Sequence, residues 1–400
     1  MTIIYPDDFK GQRVYSQALI TAARNLIPVL RERAREAQEL RSLPSSTGTD
    51  LRRSGVARLL QPASFGGAEG TLENMVDILI PIASGCPSTA WCLAQYLFHN
   101  YMIAHWPIEA QKEVWADPTN LVSGILVPRL GKARQVEEGY ELTGQWPFVS
   151  GVQPSDWCIL SGMVEMDSAP DEERYFLVPT SSVEILDTWD PIGLHGSGSQ
   201  DVKVESLLIP DYLTLPIHQM KGGDFPGKSA NRSALYRPPI HMISGILPAA
   251  CLVGMTEAMF ESFLLQSRDR KSIRTSEDTV SYATHQMRVG EVSASLQAAE
   301  MLIRADCREI MELAAADCAF SALERSNYRS NSAYAGQLAR RAAEAVWDLI
   351  GARGAYATNL IASYYRDIAV ASRHTAINWE VNATEHGRAR LRLPLTNPSL

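Results

Sequence analysis

Between Leu121 and Pro210 the chain loses the three-and-four spacing of apolar residues that governs it on either side, and that change of period decides what it can fold into. Residues 13 to about 117 read helical, with prolines between segments. Pro28 marks a kink, and Pro44 with Ser45 and Ser46 ends the first long pair. Gln61-Pro62 to Gly70 is turn-rich, and Thr71 can cap the next helix with Asn74 at its third position. Pro87-Ser88 opens a nearly all-apolar helix to about His105, which predicts burial on every side. From Leu121 the runs Leu121–Val127, Tyr140–Phe148, Trp157–Val164, Tyr175–Val178 and Val202–Ile209 are rich in β-branched and aromatic residues and are split by Gly, Pro, Asp and Glu. They predict a compact antiparallel barrel or sandwich. After a loop from Gly222 to Pro239 the pattern is helical to Thr384, in four or more long helices. The expected organisation is α+β: an N-terminal helical domain (1–117), a central β-domain (118–225) and a C-terminal four-helix bundle (226–400).

Charge and cysteine usage narrow the partners. A net charge of −8 and a pI near 5.6 argue against nucleic acid or an anionic membrane surface. The basic stretch Arg31 to Arg41 alternates with Glu and apolar residues and reads as a solvated helix face. Six scattered cysteines form no Cys-x-x-Cys pair, as for free thiols in a reducing cytoplasm. Met1 to Arg13 carries no apolar leader stretch, so a cytoplasmic enzyme is expected. Two apolar stretches, Met75–Trp106 and Met242–Met255, read as buried core helices. The first is interrupted by Asp77, two prolines and His99, and the second is too short to span a bilayer. No metal is expected: the histidines show no His-Glu-x-x-His spacing. Nor does a nucleotide-binding glycine motif precede a helix, and Gly193–Gly198 sit in a strand-to-strand turn.

Four segments in order resemble the acyl-CoA dehydrogenase superfamily over nearly the whole chain. Gly55-Val-Ala-Arg-Leu-Leu-Gln-Pro-Ala-Ser-Phe-Gly-Gly with Gly85-Cys-Pro-Ser-Thr-Ala-Trp91 looks like that family's first helical domain. Gly144-Gln-Trp-Pro-Phe-Val-Ser-Gly151 resembles the strand lying against the flavin ring. Gly193-Leu-His-Gly-Ser-Gly-Ser-Gln-Asp-Val202 is similar to the later strand and its turn, and Gly351-Ala-Arg-Gly-Ala-Tyr through Tyr365-Arg-Asp367 to the last bundle helices. The resemblance implies an acyl-CoA dehydrogenase-like fold and a homotetramer whose flavin site is completed by a neighbouring subunit.

The dehydrogenases need a carboxylate base for the proton α to the thioester. After Arg366-Asp367 this chain reads Ile-Ala-Val-Ala-Ser-Arg-His374-Thr375, and the glutamate's slot holds Thr375, with Glu380 off register. That pattern is similar to the two-component flavin-dependent hydroxylases of this fold, the p-hydroxyphenylacetate hydroxylase and dibenzothiophene monooxygenase group. It implies an oxygenase component that receives reduced FAD or FMN (FADH2 or FMNH2) from a separate NAD(P)H-dependent flavin reductase. With O2 as co-substrate, a flavin C4a-hydroperoxide would hydroxylate a phenol or indole-type ring. Oxidation at nitrogen or sulfur, an acyl-CoA dehydrogenase and a catalytically silent flavin binder are the alternatives.

Each candidate residue also has a plain structural reading. Ser150 either bonds the flavin or satisfies a strand end, and Gly151 follows it in the turn. Trp146 and Phe148 either wall the flavin ring or belong to the core. His99 shares a helical stripe with Trp91, Gln95, Met102 and Ile103, and either meets substrate or packs in the core. His374 shares a stripe with Tyr364, Asp367, Ala371 and Asn378, and either supplies acid or base catalysis or packs in a long helix. The family's flavin-phosphate and adenine contacts would fall on Arg270 and Gln286, with Gly351 and Gly354 at the bundle end. Arg268 to Arg274 offers more than one arginine, and a solvated helix surface is the alternative there.

Overall fold

The computed structural model describes residues 8–166, 170–268, 270–271 and 276–397. Most of the opening stretch read for a leader, and Ile273 and Arg274 of the basic run, lie outside them. Five helices come first: α1 (Asp8–Leu40), α2 (Ser45–Ser54), α3 (Leu72–Gly85), α4 (Pro87–Ile103) and α5 (Ile108–Val114). Pro28 sits within α1, whose helix runs on past it to Leu40. Thr71 and Asn74 cap α3 reciprocally: the Asn74 amide donates to Thr71 Oγ1 at 3.2 Å, and the Thr71 amide donates to Asn74 Oδ1 at 3.2 Å. Pro87 occupies the first turn of α4, where its missing N–H costs nothing. Apart from Gln95, every residue of α4 is buried, as its all-apolar sequence requires.

Eight strands follow: β1 (Val122–Gly124), β2 (Gly131–Val136), β3 (Gly139–Val149), β4 (Trp157–Glu165), β5 (Glu172–Pro179), β6 (Glu184–Leu186), β7 (Gln200–Ile209) and β8 (Thr214–Pro216). They make one sheet in the order β6-β7-β3-β2-β4-β5-β8, with β1 joined to β4. Most pairings are antiparallel, as expected, but β1 and β2 both run parallel to β4. Spacing of strand-like runs carries no direction information, so these two pairings were not readable from it.

The C-terminal part holds α6 (Ile240–Ile243), α7 (Ile246–Ser267), α8 (Ala283–Ala315), α9 (Ala322–Ile350), α10 (Leu360–Ala371) and α11 (Trp379–Arg390). Ile240–Ser267 is long and apolar enough to cross a membrane, longer than its apolar stretch suggests, but 83% of its most apolar window is buried inside the fold. It is a core helix. Two departures bear on the site. The helix carrying Asp367 stops at Ala371, so His374 stands in the turn between α10 and α11 instead of on a long helix. Helix also persists to Arg390, past Thr384.

Candidate active site

Trp91, on the second turn of α4, is the hub of one cluster. Its indole Nε1 donates to Ser150 Oγ at 3.2 Å, and its ring meets the His374 imidazole edge-on at 5.4 Å between centroids. Ser150 follows β3, next to Gly151 at φ 70°. A side chain on Gly151 would both strain the backbone and come within 2.3 Å of the Tyr96 hydroxyl. With no side chain there, the Gly151 carbonyl accepts from Tyr96 Oη at 2.7 Å and its amide donates to the Ser197 carbonyl at 2.8 Å. Cys92 Sγ donates to that same carbonyl at 3.3 Å. One face of α4 therefore holds both the end of β3 and the turn before β7.

That turn also rests on α10. Gly193 approaches the Arg366 carbonyl so closely that a Cβ would lie 2.3 Å from it, and Leu194, at φ 55°, donates its amide to Asp367 Oδ1 at 2.6 Å. The glycine-rich turn and the Arg-Asp pair, read apart in the sequence, are one contact. Burial raises the Asp367 carboxyl to about 7, partly offset by the Leu194 amide and by Arg366. Two further hydroxyls come with the turn: Ser150 Oγ lies 2.8 Å from Ser199 Oγ, which lies 2.7 Å from Ser197 Oγ.

His374 is half-buried and begins a short turn, with its Nδ1 accepting the Ala376 amide at 3.2 Å. A backbone N–H can only donate, so in the neutral ring the proton sits on Nε2. Desolvation, reinforced by the Arg329 charge, lowers this imidazole to about 4. The turn itself is gripped from behind. Asn382 is fully buried, donates to the Ala376 and Asn378 carbonyls at 3.2 and 2.7 Å, and accepts from Arg329 Nε at 3.1 Å. Arg329 Nη1 donates to the His241 carbonyl and to Ser244 Oγ. No acidic partner is found for this buried guanidinium among the described residues, and burial lowers it to about 10.

His99 has the opposite tautomer. Its Nδ1 donates to the Val122 carbonyl at 2.8 Å, which leaves a lone pair on Nε2, and burial lowers the ring to about 4. It lies two turns along α4 from Trp91, and no contact joins it to the Ser150–His374 cluster among the described residues.

The two aromatics of the β3 motif part company. Trp146, expected with Phe148 as a cofactor wall, is fully buried in the sheet, donates Nε1 to the Ser161 carbonyl at 2.8 Å, and packs where Gly131 and Gly144 leave room for its ring. Phe148 is 62% exposed at φ 65°, beside the edge of Trp189. The strand's register shifts between Trp146 and Val149, and that irregularity turns Phe148 outward.

Arg270, Gln286, Gly351 and Gly354 form a second grouping near the ends of α7 and α9. Arg270 Nη1 donates to the Leu349 carbonyl at 2.8 Å, and a Cβ on Gly351, at φ 59°, would stand 3.4 Å from Arg270 Nη2. Gln286 is exposed on the first turn of α8, with Nε2 bonded to the Val280 carbonyl. Gly354 is buried against Ile350 and Trp347. No contact joins this grouping to the first among the described residues. An exposed phenyl ring beside a hydroxyl fits a planar ring cofactor, and a guanidinium against a glycine turn fits a phosphate. Sequence reasoning missed Ser197, Ser199, Arg329 and Asn382. Only the serines had a local signal, Ser197 inside the Gly193–Gly198 turn and Ser199 directly after it.

Residues 246–379 match the family described as acyl-CoA dehydrogenase, C-terminal domain. The chain is 31% identical over 276 residues to the oxygenase subunit HsaA of a flavin-dependent monooxygenase from Rhodococcus jostii, covering 68% of this chain and 72% of that protein. Over 390 residues it is 27% identical to the oxygenase component of the FADH2-dependent resorcinol hydroxylase from a Rhizobium species, covering 94% of each. The crystal structure of 3-HSA hydroxylase from a Rhodococcus species has a TM-score of 0.91 at 26% identity, covering 96% of this chain and 99% of that one.

Proposed function

This chain belongs to the oxygenase subunits of flavin-dependent monooxygenases, a branch of the acyl-CoA dehydrogenase superfamily, and from that premise we propose that it hydroxylates a phenol or indole-type ring in the space bounded by Ser150, Trp91 and His374. It uses reduced flavin and O2, and a separate reductase supplies the flavin. Bound reduced flavin supplies the electrons that put one oxygen atom into product and release the other as water.

One observation carries the reading: a hydroxyl and an imidazole N–H are both held against one indole by elements far apart in the chain. Phe148 would hold the flavin ring and Ser150 its N5 edge. The Nε2–H of His374 would donate to the oxygen being transferred. His99 keeps an Nε2 lone pair two turns along α4, where it would meet only a substrate that extends past Trp91. Among the described residues neither Asp367, whose Oδ1 accepts the Leu194 amide, nor the exposed Glu380 stands as the carboxylate base a dehydrogenase needs. Resorcinol, on which the Rhizobium relative acts, is itself an electron-rich phenol. The six free thiols, five of them buried, support a cytoplasmic setting.

The test mixes the chain's reduced-flavin complex with O2, with and without a phenol or indole. Oxygenated product is expected, and no bleaching of oxidised flavin by an acyl-CoA. Bleaching without oxygenation would sink the proposal.

The two residue groupings are separate within one protomer, which supports a flavin shared across a subunit boundary and a homotetramer built as a pair of dimers. Light scattering at micromolar concentration is expected to give four times the chain mass. A monomer that still binds flavin would refute the shared site.

A further inference from the structure

We infer that Ser150, Ser199 and Ser197 form a hydroxyl chain of reversible polarity, letting Ser150 present either a lone pair or a proton to the flavin as its redox state changes. The inference deepens the proposed role of Ser150 and rests on it. The indole of Trp91 can only donate, so it takes one lone pair of Ser150 Oγ in every state. The contacts Ser150–Ser199 and Ser199–Ser197 are 2.8 and 2.7 Å, and either oxygen of each pair can be the donor.

Two arrangements keep both contacts. With the protons pointing toward Ser197, the second lone pair of Ser150 is free to accept. With the protons pointing toward Ser150, its own proton is free to donate. Flavin N5 changes in the matching sense: it carries a hydrogen when reduced and offers a lone pair when oxidised. Trp91, Ser150, Ser199 and Ser197 are all under 8% exposed, so water does not stand in for a missing partner. Nor are the hydroxyls needed to hold the loops together. The Gly151 amide and Cys92 anchor the Ser197 carbonyl, and Tyr96 anchors that of Gly151, without involving any of them.

Ser199→Ala removes the acceptor for the Ser150 proton, and this matters only when Ser150 must accept from reduced flavin. Anaerobic titrations with reduced and with oxidised flavin are expected to show reduced-flavin affinity falling about fivefold to tenfold, with oxidised-flavin affinity changing by less than about twofold. Ser197→Ala is expected to shift the ratio the same way, since the Ser199 proton then loses its acceptor. Ser199→Thr, which keeps a hydroxyl, is expected to restore it. An unchanged ratio in both alanine variants, or one shifted toward reduced flavin, overturns the chain. Ser150→Ala separates the two levels: if it too leaves both affinities unaltered, the assignment of Ser150 to the flavin has failed, and not the chain alone.

Discussion

Replacing His374 with Asn is expected to slow hydroxylation by about 10²–10³-fold while leaving flavin affinity unchanged, the usual worth of one preorganised hydrogen-bond donor. The substitution is chosen from the geometry. Asn is a good capping residue, so its Oδ1 can keep accepting the Ala376 amide and preserve the turn. What it loses is the longer reach of Nε2–H. The pH dependence distinguishes donor from proton carrier. The ring's pKa is depressed to about 4, so it is neutral from about pH 5.5 upward, and acidification toward that value does not charge it. To act as a base through Nε2, the neutral ring would need its proton on Nδ1, facing another N–H. The hydroxylation rate is therefore expected to show no inflection from this residue between about pH 5.5 and 8. Stopped-flow rates across that range check it. An inflection near 6.5 that disappears in the variant would make His374 a titrating acid or base, as the sequence alone allowed.

How much of this was legible depends on the range over which each signal acts. Thr71 and Asn74, three residues apart, gave the start of α3, and the apolar run after Pro87 gave a buried α4. The change of period at Leu121 gave the sheet but not the parallel pairings of β1 and β2 with β4. Ser150 and His374 were legible only through resemblance, and their meeting at Trp91 was not. Trp146 and Phe148, two apart on one strand, read alike, but the irregularity between them sends one inward and the other out. The end of α10 was misplaced because Ser372-Arg373-His374-Thr375 contains neither Gly nor Pro. Asn378, whose side chain caps α11 by accepting the Val381 amide, was the available signal. Arg329 lies 53 residues from Asn382, and no periodic or motif pattern operates over that distance.

That buried pair sets up the second large effect. Asn382→Ala is expected to destabilise the protein by about 3 kcal/mol and to slow hydroxylation about 10²-fold, with flavin affinity unchanged. The stability loss arises because the Arg329 Nε–H loses the one bond it makes among the described residues and the Ala376 carbonyl loses its side-chain donor, both away from water. The rate loss has a different origin: the Asn382 side chain ties down the Ala376 carbonyl inside the turn begun by His374, and losing that tie lets the imidazole drift even though the Asn382 amide still holds the Asn378 carbonyl. Asn382→Asp separates the two consequences. A carboxylate still accepts from Arg329, and pairs with a guanidinium that has no acidic partner among the described residues, so stability should recover in part. It cannot donate to Ala376 or Asn378, so the rate should not recover. Urea unfolding and single-turnover hydroxylation of both variants read the two quantities independently. If both hydroxylate at the parent rate while Asn382→Ala is destabilised, the turn holds His374 without this grip, and Arg329 with Asn382 serves only to join α6, α9 and α11.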